Sequence, residues 1–143
     1  MKIGKRSKAR GKRFERKAAH ILTDLLGVPF RRGVQYQGGH DSDDVVSDID
    51  GLHWEMKFVE KLNIETAMVQ SETDAKPDEV PVVFHARSRK EPMITIRAKN
   101  LIQFAKIINK VIEEKENESV SDECNEQSEA GLDGVCKSPD SAE

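Results

Sequence analysis

The sequence predicts an α/β domain: a mixed central sheet flanked by helices, followed by an acidic tail with no fold of its own. Three observations predict it. Stretches with helical apolar spacing alternate with short β-branched runs, in the order helix, three strands, helix, two strands, helix. Helices that fall between strand groups imply a sheet of mixed direction with covered faces. From Glu113 onward large apolar side chains almost vanish, so that stretch cannot bury enough surface to offset chain entropy.

The first helix is read from Phe14, Ala18, Ile21, Leu22 and Leu25, whose spacing traces one face. It should span about residues 12–26 and stop at Gly27, with Pro29 just beyond. Residues 30–36 suit a short strand, and the polar, Gly-rich residues 37–42 suit a loop. Val45-Val46 and residues 52–59 read as two strands joined by a turn at Asp50-Gly51. Asn63 is a good N-cap for a helix over about 64–75. Residues 80–86 form a buried strand, 87–92 a charged turn and 93–97 a fifth strand. Leu101, Phe104, Ala105, Ile108 and Ile112 mark a last amphipathic helix over about 98–115. The chain thus divides into a flexible basic segment (1–10), a folded domain (11–115) and a disordered acidic tail (116–143).

Composition agrees. Of the 143 residues, 36% are hydrophobic and 34% charged, which fits a small core plus a segment outside it. No run of apolar residues is long enough to span a bilayer, and none follows the basic 1–13 segment to make a secretory signal. No membrane partner is expected. Cys124 and Cys136 both lie in the tail, far from any core, and the simplest setting is a reducing cytoplasm.

The net charge of −3 conceals a gradient. Residues 1–40 carry eleven Lys/Arg against two Asp/Glu, residues 41–112 ten against thirteen, and residues 113–143 two against eleven. The basic first forty residues, with Tyr36 and Gly38-Gly39 behind them, point to a phosphate-rich partner, nucleic acid. Arg10, Lys12 and Arg13 would start the first helix, where cations oppose the helix dipole and an external anion compensates. Arg31 and Arg32 flank the first strand and are further DNA-binding candidates. Arg87, Arg89 and Lys90, with His85, form a second basic cluster that could meet a DNA flank. The acidic tail either solubilises the protein or competes with DNA for the basic surface.

The chemistry concentrates around Glu55-Met56-Lys57. Side chains alternate along a strand, so Glu55 and Lys57 share one face while Trp54, Met56 and Phe58 share the apolar one. A tight turn between Ile49 and Asp50 would set Asp44 opposite Glu55, with carboxylates roughly 5 Å apart. Two like charges so placed repel, and a divalent cation offsets the repulsion; Mg²⁺ takes such oxygen ligands together with water and substrate phosphate. Lys57 then orients an attacking water or stabilises charge on phosphate. In-line attack would leave a 5′-phosphate. Asp48 and Asp50 are better read as turn residues, His40 as surface, Trp54 as core, and His53 as a residue lining the substrate groove.

Asp44 followed by Glu55-x-Lys57, after an N-terminal helix, resembles the PD-(D/E)XK nuclease superfamily, and within it the Holliday junction resolvase-like group that includes small phage-encoded nucleases. The matching stretches are GKRFERKAAHIL, RRGVQYQGGHDSDDVV, GLHWEMKFVEKLNIETAMVQ and VPVVFHARSRK, in that order. They cover about residues 10–110. The resemblance implies a restriction-endonuclease-like αβββαβ core, Mg²⁺ or Mn²⁺ as cofactor, a homodimer, and a setting in a bacterial or phage-infected cell. It implies that Asp44, Glu55 and Glu15 hold metal, that Lys57 is the catalytic lysine, and that Gln70 stands near the active site. The motif's proline is replaced by Asp43, which leaves Asp43 or Asp44 as the ligand; the turn arithmetic favours Asp44.

The expected function is a metal-dependent DNA endonuclease, selective for branched or structured DNA in recombination, repair or phage DNA processing. The alternatives are a general or end-processing nuclease and a catalytically inactive DNA-binding protein of the same fold.

Overall fold

The computed structural model describes residues 3–33 and 44–129. The elements are α1 (Ile3–Leu26), β1 (Phe30–Arg32), β2 (Val45–Ser47), β3 (Leu52–Phe58), α2 (Ile64–Asp74), β4 (Val80–Ala86), β5 (Met93–Thr95) and α3 (Leu101–Glu129), the last entered through a 3-10 turn at Ala98–Asn100. The predicted order of helices and strands is the observed one.

The central sheet has strand order β3-β4-β5. β3 and β4 run parallel and β5 returns antiparallel, so the sheet is mixed. A parallel neighbour requires a crossover, and α2 supplies it. Even-numbered residues of β3 and β4 (Leu52, Trp54, Met56, Val80, Val82, Phe84) face the main core. Phe14, Ala18 and Leu22 of α1 cover them, and Phe104, Ile107, Ile108 and Val111 of α3 close the same cluster. Phe14 stacks on Phe58 with ring centroids 5.0 Å apart, and Phe30 meets Trp54 edge-on at 5.7 Å. On the opposite face, Ala67 and Met68 of α2 pack on Val83.

Local signals explain most element ends. Gly27 stops α1 in the left-handed region at φ 66°, its N–H bonded to the Thr23 carbonyl at 2.8 Å. Thr23 Oγ1 donates to Ala19 O and accepts from the N–H of Phe30, tying the helix end to β1. Asn63 caps α2 by accepting the Thr66 N–H at 3.1 Å.

The structure corrects several expectations. The hairpin between β2 and β3 is not formed: β2 pairs antiparallel with β1, Arg31 opposite Val46, and Glu55 of β3 stands beside Val83 of β4. Both short apolar runs were free to choose partners, and a strand covered on both faces favours a parallel neighbour over an exposed hairpin. The basic N-terminus is helix from Ile3, not a flexible lead. Lys, Arg and Ala favour helix, and Gly11 sits mid-helix in open space. Arg10, Lys12 and Arg13 are therefore within the helix rather than at its dipole-bearing start.

Leu25 is 69% exposed, and Leu26 packs in its place. In α3 the packed stripe is Phe104, Ile107, Ile108 and Val111, while Leu101, Ala105 and Ile112 face out. Helix also continues through residues 116–129 of the expected disordered tail. Lack of apolar side chains forbids a core there but not a helix, because Glu, Lys and Gln propagate one already nucleated on packed turns. Residues 130–143, with Cys136, lie outside the described residues. So do residues 34–43, which hold Tyr36, Gly38, Gly39, His40, Asp41 and Asp43.

Candidate active site

Asp44 stands just before β2, where its main chain and side chain reach two different sheets. Its carbonyl accepts the Gly33 N–H at 3.0 Å, extending the β1–β2 ladder. Its carboxylate Oδ2 accepts the main-chain N–H of Met56 at 3.0 Å, on the edge of β3 that β4 leaves open. Asp44 thus comes to the Glu55–Lys57 segment through a side-chain bond, not through the strand register the sequence suggested.

Burial drives the Asp44 carboxyl up to about 6, and the nearby charges of Glu55 and Glu15 push the same way. The Met56 N–H and the Lys57 ammonium oppose them. Asp44, Glu55, Glu15 and Lys57 therefore form one electrostatic group.

Glu55 and Lys57 share a face of β3, as alternation requires. The pair is not an ordinary surface ion pair: the Glu55 side chain is 5% exposed and that of Lys57 26%. Lys57 Nζ donates to Glu55 Oε1 at 2.5 Å and to Gln70 Oε1 at 2.9 Å. Gln70 is carried there by α2, so the helix that makes the crossover also fixes the ammonium. Glu15 reaches from α1 and accepts a hydrogen bond from Nε of Arg32 in β1. Arg32 is thereby engaged with a carboxylate, whereas Arg31 is exposed.

Asp44, Glu55, Lys57, Glu15 and Gln70, gathered from three elements and a loop edge, are all drawn into this group. Among the described residues, no three His, Cys, Asp or Glu side chains converge on a single metal position. The donor chemistry nonetheless fits a hard divalent cation: the acidic groups offer oxygen only, and burial, with a smaller push from Glu55 and Glu15, makes ionisation of Asp44 costly in a way that added positive charge relieves.

Other candidates fall elsewhere. His53 is buried, 1% exposed, and belongs to the interior of the sheet. His85 bonds Thr95 Oγ1 at 2.8 Å between β4 and β5, and burial lowers its pKa, so it adds no cation to the second basic cluster. Trp54 is core. Arg10, Lys12 and Arg13 are exposed on α1, with the Arg10 guanidinium 5.5 Å from the Phe58 ring centroid. Sequence reasoning missed two supports of the site. One is the Met56 N–H, a backbone donor that carries no residue signature. The other is Arg32 as partner of Glu15, a contact spanning seventeen residues.

Among the described residues no helix is long and apolar enough to cross a membrane. No protein-family model, no curated protein and no solved structure matches this chain.

Proposed function

We propose that this protein is a divalent-metal-dependent DNA endonuclease that hydrolyses phosphodiester bonds in branched or otherwise structured DNA, as the resemblance to PD-(D/E)XK resolvase-like nucleases implies. One observation carries the reading. Asp44, Glu55 and Glu15, with Lys57 bonded to Glu55 and Arg32 to Glu15, lie near enough for both glutamates to disfavour ionisation of Asp44, and Glu55 is buried. A fold gains no stability from crowding like charges, so such a group is a functional candidate.

Asp44, Glu55 and Glu15 would hold the ion, Mg²⁺ or Mn²⁺. When bound, it supplies Lewis-acid polarisation of a phosphoryl oxygen and acidification of water. The chain's own residues do the rest. Lys57 is held by two acceptors, Glu55 and Gln70, which leaves one ammonium proton to hold a water in line or to meet charge growing on a non-bridging phosphate oxygen. Asp44 accepts the Met56 N–H through Oδ2, which fixes the carboxylate beside Glu55 and Lys57. The exposed Arg31 of β1 would hold the backbone being cut, and the product carries a 5′-phosphate. A homodimer would present two such sites to two strands.

The test is cleavage of a four-way junction, a linear duplex and a single strand by purified protein, with Mg²⁺ or with EDTA. The expected result is metal-dependent, paired cutting of the junction in preference to the duplex. No cutting of any substrate in Mg²⁺ or Mn²⁺ overturns the reading.

A further inference from the structure

A second cluster of charge lies on the other face of β3 from Glu55 and Lys57. α1 and the turn after β4 enclose a cleft of about 490 Å³, lined by Arg10, Arg13, Lys17, Arg87, Arg89 and Lys90. Glu91 is the one carboxylate in its lining, and Phe14 and Phe58 contribute an aromatic floor. We propose that this cleft is a single-strand site: it grips the phosphodiester backbone of an unpaired nucleic-acid strand.

Charge and size set the ligand class. Six cations against one carboxylate exceed what a lone phosphate monoester balances, so the match is a run of successive phosphates. A volume of about 490 Å³ is far too small to admit a duplex and suits a short length of one strand's backbone. One extended strand fits. A cationic groove that tracks the backbone is the common solution for unpaired strands; here Phe14 and Phe58, stacked on each other with Phe14 buried, form the floor beneath the cations. Arg10 already stacks on Phe58, which presents its guanidinium beside the ring.

The backbone of the turn is an independent sign. Lys90 N–H bonds the Arg87 carbonyl at 3.2 Å, and Arg89 inside that turn has φ 61°. Glycine would occupy this left-handed position without strain. An arginine there is a conformational cost, of the kind that clusters at ligand clamps, and its side chain lines the cleft. Glu60 Oε1 accepts the Ser88 N–H at 3.1 Å and so anchors the turn to the segment after β3.

Joined to the nuclease reading, on which this part rests, the site makes the preferred substrate a branched DNA with an unpaired arm beside the scissile duplex. Strand binding itself does not depend on that reading.

The experiment uses the full chain and fluorescence anisotropy with a labelled oligo-dT strand and a duplex of equal length, in EDTA. Wild type should bind the strand more tightly than the duplex. Arg87→Ala/Lys90→Ala should weaken strand binding at least tenfold and flatten its log-affinity against log-salt slope by about 1.4, with less than a twofold change on duplex. Lys106→Ala/Lys110→Ala removes two cations outside the cleft and should leave strand binding as it was. Arg89→Gly should weaken strand binding with no fall in melting temperature, which excludes misfolding as the cause. Unchanged strand binding in the cleft variants, or equal loss on strand and duplex, overturns the proposal. A protein that cuts nothing yet binds oligo-dT through Arg87 and Lys90 upholds this site and overturns the nuclease. A protein whose cleft variants cut armed and armless branches like wild type upholds the nuclease and overturns this site.

Discussion

The carboxylate of Asp44 accepts the main-chain N–H of Met56 at 3.0 Å, a bond that links the β1–β2 pair to the open edge of β3 alongside the packing of Phe30 on Trp54. It also brings a third acidic group within electrostatic reach of Glu55 and Glu15. The arrangement has a stability consequence that depends on pH. The folded-state pKa of Asp44 is raised to about 6 from 3.8. A raised carboxyl favours the folded state while protonated, so its contribution is fully present below about 4 and lost as pH rises through 6. In EDTA, Asp44→Asn should keep the Met56 bond through its amide oxygen and remove that loss. The variant should be more stable than wild type at pH 7.5 by about 1–2 kcal/mol, discounting for partial solvation, and equal to it at pH 4. Urea denaturation at the two pH values measures this. An Asn variant no more stable at pH 7.5 would contradict the burial and crowding of Asp44.

Lys57 is expected to act on the reaction more than on binding. Lys57→Ala should lower metal-dependent cleavage by about 10²–10³-fold and leave branched-DNA affinity within about twofold. Because it strands the buried Glu55 carboxylate, it should also cost about 1–2 kcal/mol, below the range for fully buried pairs since Lys57 is partly exposed. Glu55→Gln should lose cleavage with a smaller stability cost. Single-turnover cleavage and chemical denaturation separate the two effects, and wild-type rates in either variant would reject the assigned roles.

Two glycines of the first helix should respond oppositely to alanine. Gly27 has φ 66°, and a Cβ there would come within 2.9 Å of the Lys115 side chain. Gly27→Ala should destabilise by about 1–2 kcal/mol, mostly through backbone strain, because the lysine tip can move. Gly11 lies in open space inside α1, so Gly11→Ala should stabilise by about 0.5–1 kcal/mol. Thermal melts of both variants check the pair.

Arg97 clamps α2 from the chain that follows β5. It bonds Glu65 at 2.7 and 3.0 Å and Glu72 at 3.0 and 3.2 Å, a two-carboxylate fork that lowers both carboxyl pKa values through its hydrogen bonds. Arg97→Met should lower the melting temperature at low salt, and molar NaCl should narrow the difference by screening the wild-type pairs. Since α2 carries Gln70, the variant should also slow cleavage modestly. A melting temperature that stays at the wild-type value would show that the clamp does not fasten α2.

The sequence by itself determined what local chemistry encodes. Apolar spacing placed Phe14, Ala18 and Leu22 on one face of a helix, Asn63 marked a cap, and the β-branched run fixed β4 at Val80–Ala86. Alternation set Glu55 and Lys57 on one side of β3, away from Trp54 and Met56. Tertiary structure decided who pairs with whom. A three-residue strand such as β2 has too little pattern to specify a neighbour, so β1 took it while β4 took β3. The same holds at the site. Asp44 joins the acidic group through a backbone N–H, a donor nearly every residue carries, and the strand cleft arises only where α1 meets the turn after β4. Periodicity reports which face of an element is buried; which elements then meet depends on packing across the whole chain.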